Sequence, residues 1–196
     1  MTMLWGNTQV LYDSTGHQFL SLSLDRWTTS AFRSKKGLWD VHDEVDLEFL
    51  GNSTEDFHTY TIIWNPQMIL ILVDGTPIRQ MKNQLRNGIP FPLYQPMRLY
   101  ASIWNADDWA MQGGRIKTDW SQASFKAFFR NYRANTCVPY KTAWICSQGS
   151  SDSSWFTQDL GEEGKQKLKD VDNKYKIYEY CTDSRSTEEK RLNQYK

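Results

Sequence analysis

The sequence predicts an all-β sandwich with a C-terminal extension containing one helix, and three observations lead there. Short runs rich in β-branched, large apolar and aromatic residues recur along the chain, bounded by turn residues. That pattern favours antiparallel strands over a parallel sheet with crossover helices. Aromatic residues make up 14% of the 196 residues and include nine Trp, which suits a sandwich core or flat platforms for sugar rings; most are read as core. From residue 159 onwards the pattern changes to a charged stretch in which apolar residues return every three or four positions.

The elements follow in order. "FLSLSL" (19–24) alternates apolar residues with Ser, as a half-buried strand does. "HTYTIIW" (58–64) and "MILILV" (68–73) are strands by residue type, with Asn65-Pro66 breaking between them. Asp74-Gly75 then tolerates positive φ at both centres of a tight hairpin, so "TPIRQM" (76–81) returns beside "MILILV". Asn87-Gly88 and prolines at 90, 92 and 96 make a loop. "MRLYASIW" (97–104) and "SFKAFFRNY" (124–132) are further strands, and "SQGSSDSS" (147–154) is a flexible loop by composition. A helix is expected from 159 to about 174, with Leu168, Val171, Tyr175 and Tyr178 as its docking stripe.

Composition excludes several classes. Lys plus Arg equals Asp plus Glu at 23 each, so no net field favours nucleic acid or an anionic membrane. No apolar run approaches the roughly 20 residues of a membrane helix. "MTMLWGNTQV" has neither a basic nor an apolar leader region, so no signal peptide is expected in this chain. The three His (17, 42, 58) and three Cys (137, 146, 181) show no ligand spacing, and neither metal nor cofactor is expected. Cys137 and Cys146 are close enough in sequence to staple a short loop. Cys181 is odd, either a free thiol or one whose partner is missing from this chain.

"HDEVDLEFLGN" (42–52) is the run that carries chemistry. In a strand, Glu44, Asp46 and Glu48 share one face while Val45, Leu47 and Phe49 supply the core-facing side. Stacked like charges repel, so one reading is an exposed edge strand with a solvated acidic face. The other is glycoside hydrolysis, in which two carboxyl groups flank the scissile bond. Retaining enzymes hold them about 5–5.5 Å apart. Positions i and i+4 of a straight strand lie roughly 13 Å apart. That reading therefore requires a strand curved towards the substrate, in a sheet lining a cleft. Asp46 would then hold the nucleophile ionised and oriented.

The run resembles the active-site signature of plant xyloglucan endotransglucosylase/hydrolases, in the glycoside hydrolase family 16 clan. The resemblance continues, in that family's order, through "DFHTYTIIWNP" (56–66), "VDGTPIR" (73–79), "QPMRLYASIWNADDWAMQGG" (95–114) and "KTDWSQASF" (117–125). Cys137, Cys146, "SSWFTQDL" (153–160) and "YEYCTD" (178–183) match the extension that separates these enzymes from lichenases, and "FLSLSLDRWTTSAFRSK" (19–35) matches weakly. The resemblance implies a concave antiparallel β-jelly-roll over 1–133 and an extension over 134–196. It makes Glu44 the nucleophile, Glu48 the acid/base and Asp46 the helper. Glu48, Asp108, Trp109 and Gly113 become substrate contacts. Trp109, in a polar, Gly-rich loop, is read as stacking on sugar; Trp104 suits either a sugar platform or the core. Arg185 lies one place out of register with a substrate-binding Arg and carries over weakly. Asn52-Ser53-Thr54 is a sequon matching a glycosylation site of the family. Cys137–Cys146 is the implied disulfide. Xyloglucan polysaccharide and oligosaccharide are the implied partners of a monomer, secreted to the cell wall and apoplast.

The chain also departs from the family. Strands normally present before the "HDE" run and after "FLGN" are missing around 35–42 and 52–56, and the Cys that would pair with Cys181 is absent. A sandwich without central strands exposes ladder groups and opens its core unless the remaining strands re-pair. A catalytically inactive relative, at most binding glucan, is therefore the competing expectation. A mixed-linkage glucanase is disfavoured by the extension.

Overall fold

The computed structural model describes residues 2–5, 7–12, 18–24, 30–33, 47, 56–93, 99–105, 107, 114–140, 143–146 and 154–178. The described elements are overwhelmingly strands, and every pairing among them is antiparallel. The fold is therefore all-β, and the two α-helices among the described elements, Ser154–Thr157 and Glu162–Tyr175, belong to the C-terminal part. The chain divides into two compact units, Met1–Ser53 with Pro96–Ala134, and Thr54–Gln95 with Asn135–Lys196.

The first unit holds two three-stranded sheets. One is ordered β1 (Thr2–Trp5), β4 (Ser30–Arg33), β8 (Tyr100–Ile103). The other is ordered β2 (Asn7–Tyr12), β3 (Gln18–Leu24), β9 (Phe125–Arg130). β2 and β3 approach β4, and β3 approaches β8, so the two sheets are neighbours within the unit. β3 covers the "FLSLSL" run, with Ser21 opposite Gln9 and Phe128 in register, and Leu22 opposite Thr8 and Ala127. β1 and β2 precede anything the sequence marked as a strand.

The second unit is built on a meander of β5 (Tyr60–Trp64), β6 (Met68–Val73) and β7 (Thr76–Lys82). Asp74 and Gly75 both have positive φ, 49° and 75°, and form the two-residue turn between Val73 and Thr76. The Asp74 carboxylate accepts from Thr59 N at 2.8 Å and lies 2.7 Å from His58 Nδ1, tying the turn to the chain entering β5. β7 is an edge strand, and its register slips opposite Ile71/Leu72, where Pro77 enters without a donor. β6, the central strand, is buried on both faces: Met68, Ile69, Leu70 and Ile71 are all at or below 5% exposure. Met68 and Leu70 meet Leu160, with Ile63, Leu72 and Leu168 packed around them. Burying each such side chain stabilises by about 1.5–3 kcal/mol.

The C-terminal segment supplies the cover. A short helix, α1 (Ser154–Thr157), leads to Leu160 and then to α2 (Glu162–Tyr175), which packs on β7. Asn65 joins this segment to the meander and is 2% exposed. Its Nδ2 donates to the carbonyls of Trp155 (2.9 Å) and Gln158 (2.8 Å), while its Oδ1 accepts from Gln67 N (2.9 Å) and Met68 N (3.0 Å). All four bonding positions of the carboxamide are filled, which a buried amide needs. Gly164 admits Leu160: a Cβ there would stand 2.3 Å from a Leu160 methyl.

The expected docking stripe is corrected at its far end. Leu168 packs on the core and Val171 is half-buried, but Tyr175 and Tyr178 are each 63% exposed. The helix ends at Tyr175, so Tyr178 has left the helical period. Leu160, just ahead of the helix, packs on the core and lies outside the expected stripe. β10 (Cys137–Tyr140) and β11 (Ala143–Cys146) form a hairpin closed by a Cys137–Cys146 disulfide.

Candidate active site

β8 ends where the Gly-rich segment "NADDWAMQGG" begins. Ala101 and Ile103 are half-buried whereas Ser102 and Trp104 are exposed, the alternation of a strand with one covered face. Trp104 is 42% exposed, so it belongs to the solvent side of β8 and not to the core. Beyond it, two Asx side chains knot the base of the loop. Asn105 Oδ1 accepts from Asp107 N at 2.8 Å, a turn closed two residues on by a side chain. Asp107 Oδ1 accepts from Thr118 N at 2.8 Å and from Thr118 Oγ1 at 2.5 Å. Lys117 Nζ donates to the Asp107 carbonyl at 2.7 Å.

Asp107 is thus bonded to both Lys117 and Thr118, ten and eleven residues on. Gly114, with φ 81°, sits in the left-handed region as the chain turns back. Asp119 then caps a 3-10 turn at Trp120–Gln122 by accepting from Ser121 N, and Trp120 meets Phe125 edge-on. The Thr118 hydroxyl holds the Asp107 carboxyl below its ordinary range, and the Ser121 hydroxyl does the same for Asp119. Both stay ionised acceptors at neutral pH.

Of the residues that the sequence nominates, Trp104 is described and stands at the edge of this knotted loop. Glu44, Asp46, Glu48, Asn52, Asp108, Trp109, Gly113, Cys181 and Arg185 lie outside the described residues. Leu47, within the carboxylate run, is half-buried and outside any ladder. Asn105, Asp107, Lys117 and Thr118 were not nominated, although an Asn two residues before a main-chain donor is a readable turn signal. Among the described residues no three of His, Cys, Asp or Glu converge to hold a metal. Nor, among them, is any helix long and apolar enough to cross a membrane.

Comparison with known proteins covers both halves of the chain. Residues 52–122 match the model of glycosyl hydrolases family 16, and residues 150–190 match that of the xyloglucan endo-transglycosylase C-terminus. The first match takes in Asn105, Asp107, Lys117 and Thr118 and begins at Asn52, the last residue of the carboxylate run. Xyloglucan endotransglucosylase protein 7 of Diospyros kaki is 40% identical over 239 residues, covering 91% of this chain and 89% of the relative. Protein 1 of the same plant is 37% identical over 236 residues, covering 91% and 80%. The probable xyloglucan endotransglucosylase/hydrolase protein 23 of Arabidopsis thaliana is 44% identical over 181 residues, 89% of this chain and 62% of the relative. In the 236-residue alignment, 91% of 196 residues is about 178, which leaves about 58 positions without a counterpart here. Such gaps agree with internal deletions. The chain belongs to the xyloglucan endotransglucosylase/hydrolase family, in a form shortened within the glycosyl hydrolase family 16 fold.

Proposed function

We propose that this chain cleaves the β-1,4-glucan backbone of xyloglucan with retention and passes the glycosyl group to another xyloglucan end, or to water. The observation that carries the proposal is Glu44, Asp46 and Glu48 at alternate positions in a chain 40% identical to a xyloglucan endotransglucosylase. A Glu44 carboxylate oxygen attacks the anomeric carbon as Glu48 gives its proton to the departing glycosidic oxygen. The glycosidic bond breaks and a glycosyl ester forms on Glu44. Glu48, now a carboxylate, takes the proton of the incoming 4-hydroxyl, or of water, as that oxygen displaces Glu44. Asp46, between them, keeps Glu44 ionised and oriented. Trp104, Asp108, Trp109 and Gly113 hold the glucan, with Arg185 a weaker contact, on a loop whose base is fixed by Asn105, Asp107 and Thr118.

The reading extends to a sandwich domain over 1–133 and an extension over 134–196, glycosylation at Asn52, and work as a secreted monomer in building and remodelling the plant cell wall. A second reading is favoured by one observation. The roughly 58 positions without counterpart would remove walls from the cleft, and misplacement of about 1 Å can cost roughly a hundredfold in rate. On that reading the chain is an inactive relative that binds glucan through Trp109 and its neighbours. Incubation with xyloglucan and a labelled xyloglucan oligosaccharide separates the two. Incorporation that disappears in Glu44→Ala supports the enzyme; no incorporation, with glucan binding retained, supports the second reading.

A further inference from the structure

The sheet β2–β3–β9 has a charge pattern that the cleavage chemistry does not use. None of its three strands contains Asp or Glu, and no acidic residue occurs between Asp119 and Asp152, in a chain whose formal charge is zero. β9 is an edge strand among the described elements. Lys126, Phe128 and Arg130, at alternate positions, are all exposed; on the other face Phe125 and Ala127 are half-buried and Phe129 is exposed. Phe128 is 46% exposed, and Tyr132, just past the strand, is 65% exposed. Arg133, also exposed, adds a further cation. Alternate strand positions are about 7 Å apart, so the row runs cation, ring, cation along one face. Lys126 and Phe128 stand in register with Ser23 and Ser21 of β3.

We infer that this face of β9 binds an anionic polysaccharide, one whose sugars carry carboxylates, as a second carbohydrate surface outside the glucan loop. An apolar sugar face rests on Phe128 or Tyr132, while carboxylates pair with Lys126 and Arg133. Aromatic side chains beside cations would also take single-stranded nucleic acid. Zero net charge gives neither polyanion a long-range field, and the choice of a polycarboxylate follows from the family's chemistry, which is that of polysaccharides. The inference rests on that family chemistry, not on cleavage of xyloglucan.

The test is retention of the full chain on immobilised polygalacturonate, against neutral dextran, over a salt series. Retention on polygalacturonate alone, weakening as salt rises, is expected. Lys126→Gln with Arg133→Gln should lower the affinity about tenfold, as losing two exposed ion pairs would, with melting unchanged. Phe128→Ala should weaken binding at high salt as well, because stacking is not screened. No retention at low salt, or retention unaltered in the folded double variant, would overturn the proposal. Equal competition by a single-stranded oligonucleotide or by anionic phospholipid vesicles of matched charge would also overturn it, because a general polyanion surface would then suffice. Transfer to labelled xyloglucan oligosaccharide, run in parallel, reports separately on the cleavage reading.

Discussion

Two side chains gather main-chain groups in this molecule, Asn65, buried in one unit, and Asp107, half-buried in the other. Asn65 uses two donors and one acceptor oxygen to hold the β5–β6 turn against the segment running from Trp155 to Gln158. Asp107 uses one carboxylate oxygen to hold Thr118, with Lys117 on its own carbonyl. The buried site needs a neutral group that both donates and accepts, since a carboxylate there would face two carbonyls. The half-buried site tolerates a charge, because Thr118 donates to the carboxylate and the Lys117 cation lies nearby. Breaking the first should cost stability, and breaking the second should cost the alignment of a loop.

The largest effect is expected at Asn65. Asn65→Ala strands four main-chain groups, one buried and three part-buried, and should destabilise the chain by about 2–4 kcal/mol, read by denaturant unfolding. Asn65→Asp keeps the two acceptor contacts but opposes the carbonyls of Trp155 and Gln158, so it should be at least as damaging. An unchanged midpoint in both would sever the link between the meander and the C-terminal segment. Next comes Leu160→Ala, at about 2–3 kcal/mol, because the residue fills the space between Met68 and Leu70. Gly164→Ala sets two opposed effects against each other. Alanine favours a helix by about 1 kcal/mol, while crowding a packed side chain costs about 1–3 kcal/mol. A net loss of about 1 kcal/mol is expected; a gain would place Leu160 free to move aside.

Asp107→Ala is expected to leave the melting temperature within about 2 °C, yet to lower transfer to xyloglucan oligosaccharide about tenfold. Loss of stability on the scale of Asn65→Ala would erase the contrast between the two sites. Acidity probes the same contrast more gently. The Asp107 carboxyl is depressed in the folded chain, so its contribution is present above its unfolded value of about 3.9. It is lost as pH falls through the lower folded value. Glucan binding through the loop should hold down to about pH 4 and weaken below it, whereas Asn65 has no proton to gain. In Asp107→Asn the weakening below pH 4 should be smaller.

Much of this contrast lay beyond the reach of residue patterns. β6 was legible because an apolar run bounded by Asn65-Pro66 and Asp74-Gly75 has few alternatives, and β3 because Ser alternates with Leu. β1 and β2 were not, since "TMLW" and "NTQVLY" mix polar and apolar residues without clean alternation. Asn65 was read only as a breaker. Its partners lie about ninety residues on, and no local signal encodes a contact that tertiary packing makes. Leu160 falls outside the expected stripe because Gly164 interrupts the apolar period between it and Leu168. Glu44, Asp46 and Glu48 stand out in the sequence by their alternation, while the bonds joining Asn105, Asp107 and Thr118 required coordinates.

The most direct measurement is capture of the covalent intermediate in the Glu48→Ala variant, using a xyloglucan oligosaccharide with a good leaving group, followed by mass spectrometry of the peptide spanning 42–52. The account predicts a glycosyl adduct on Glu44, abolished by adding Glu44→Ala. Label transfer by the intact chain with no adduct on Glu44, or an adduct on another residue, would contradict it.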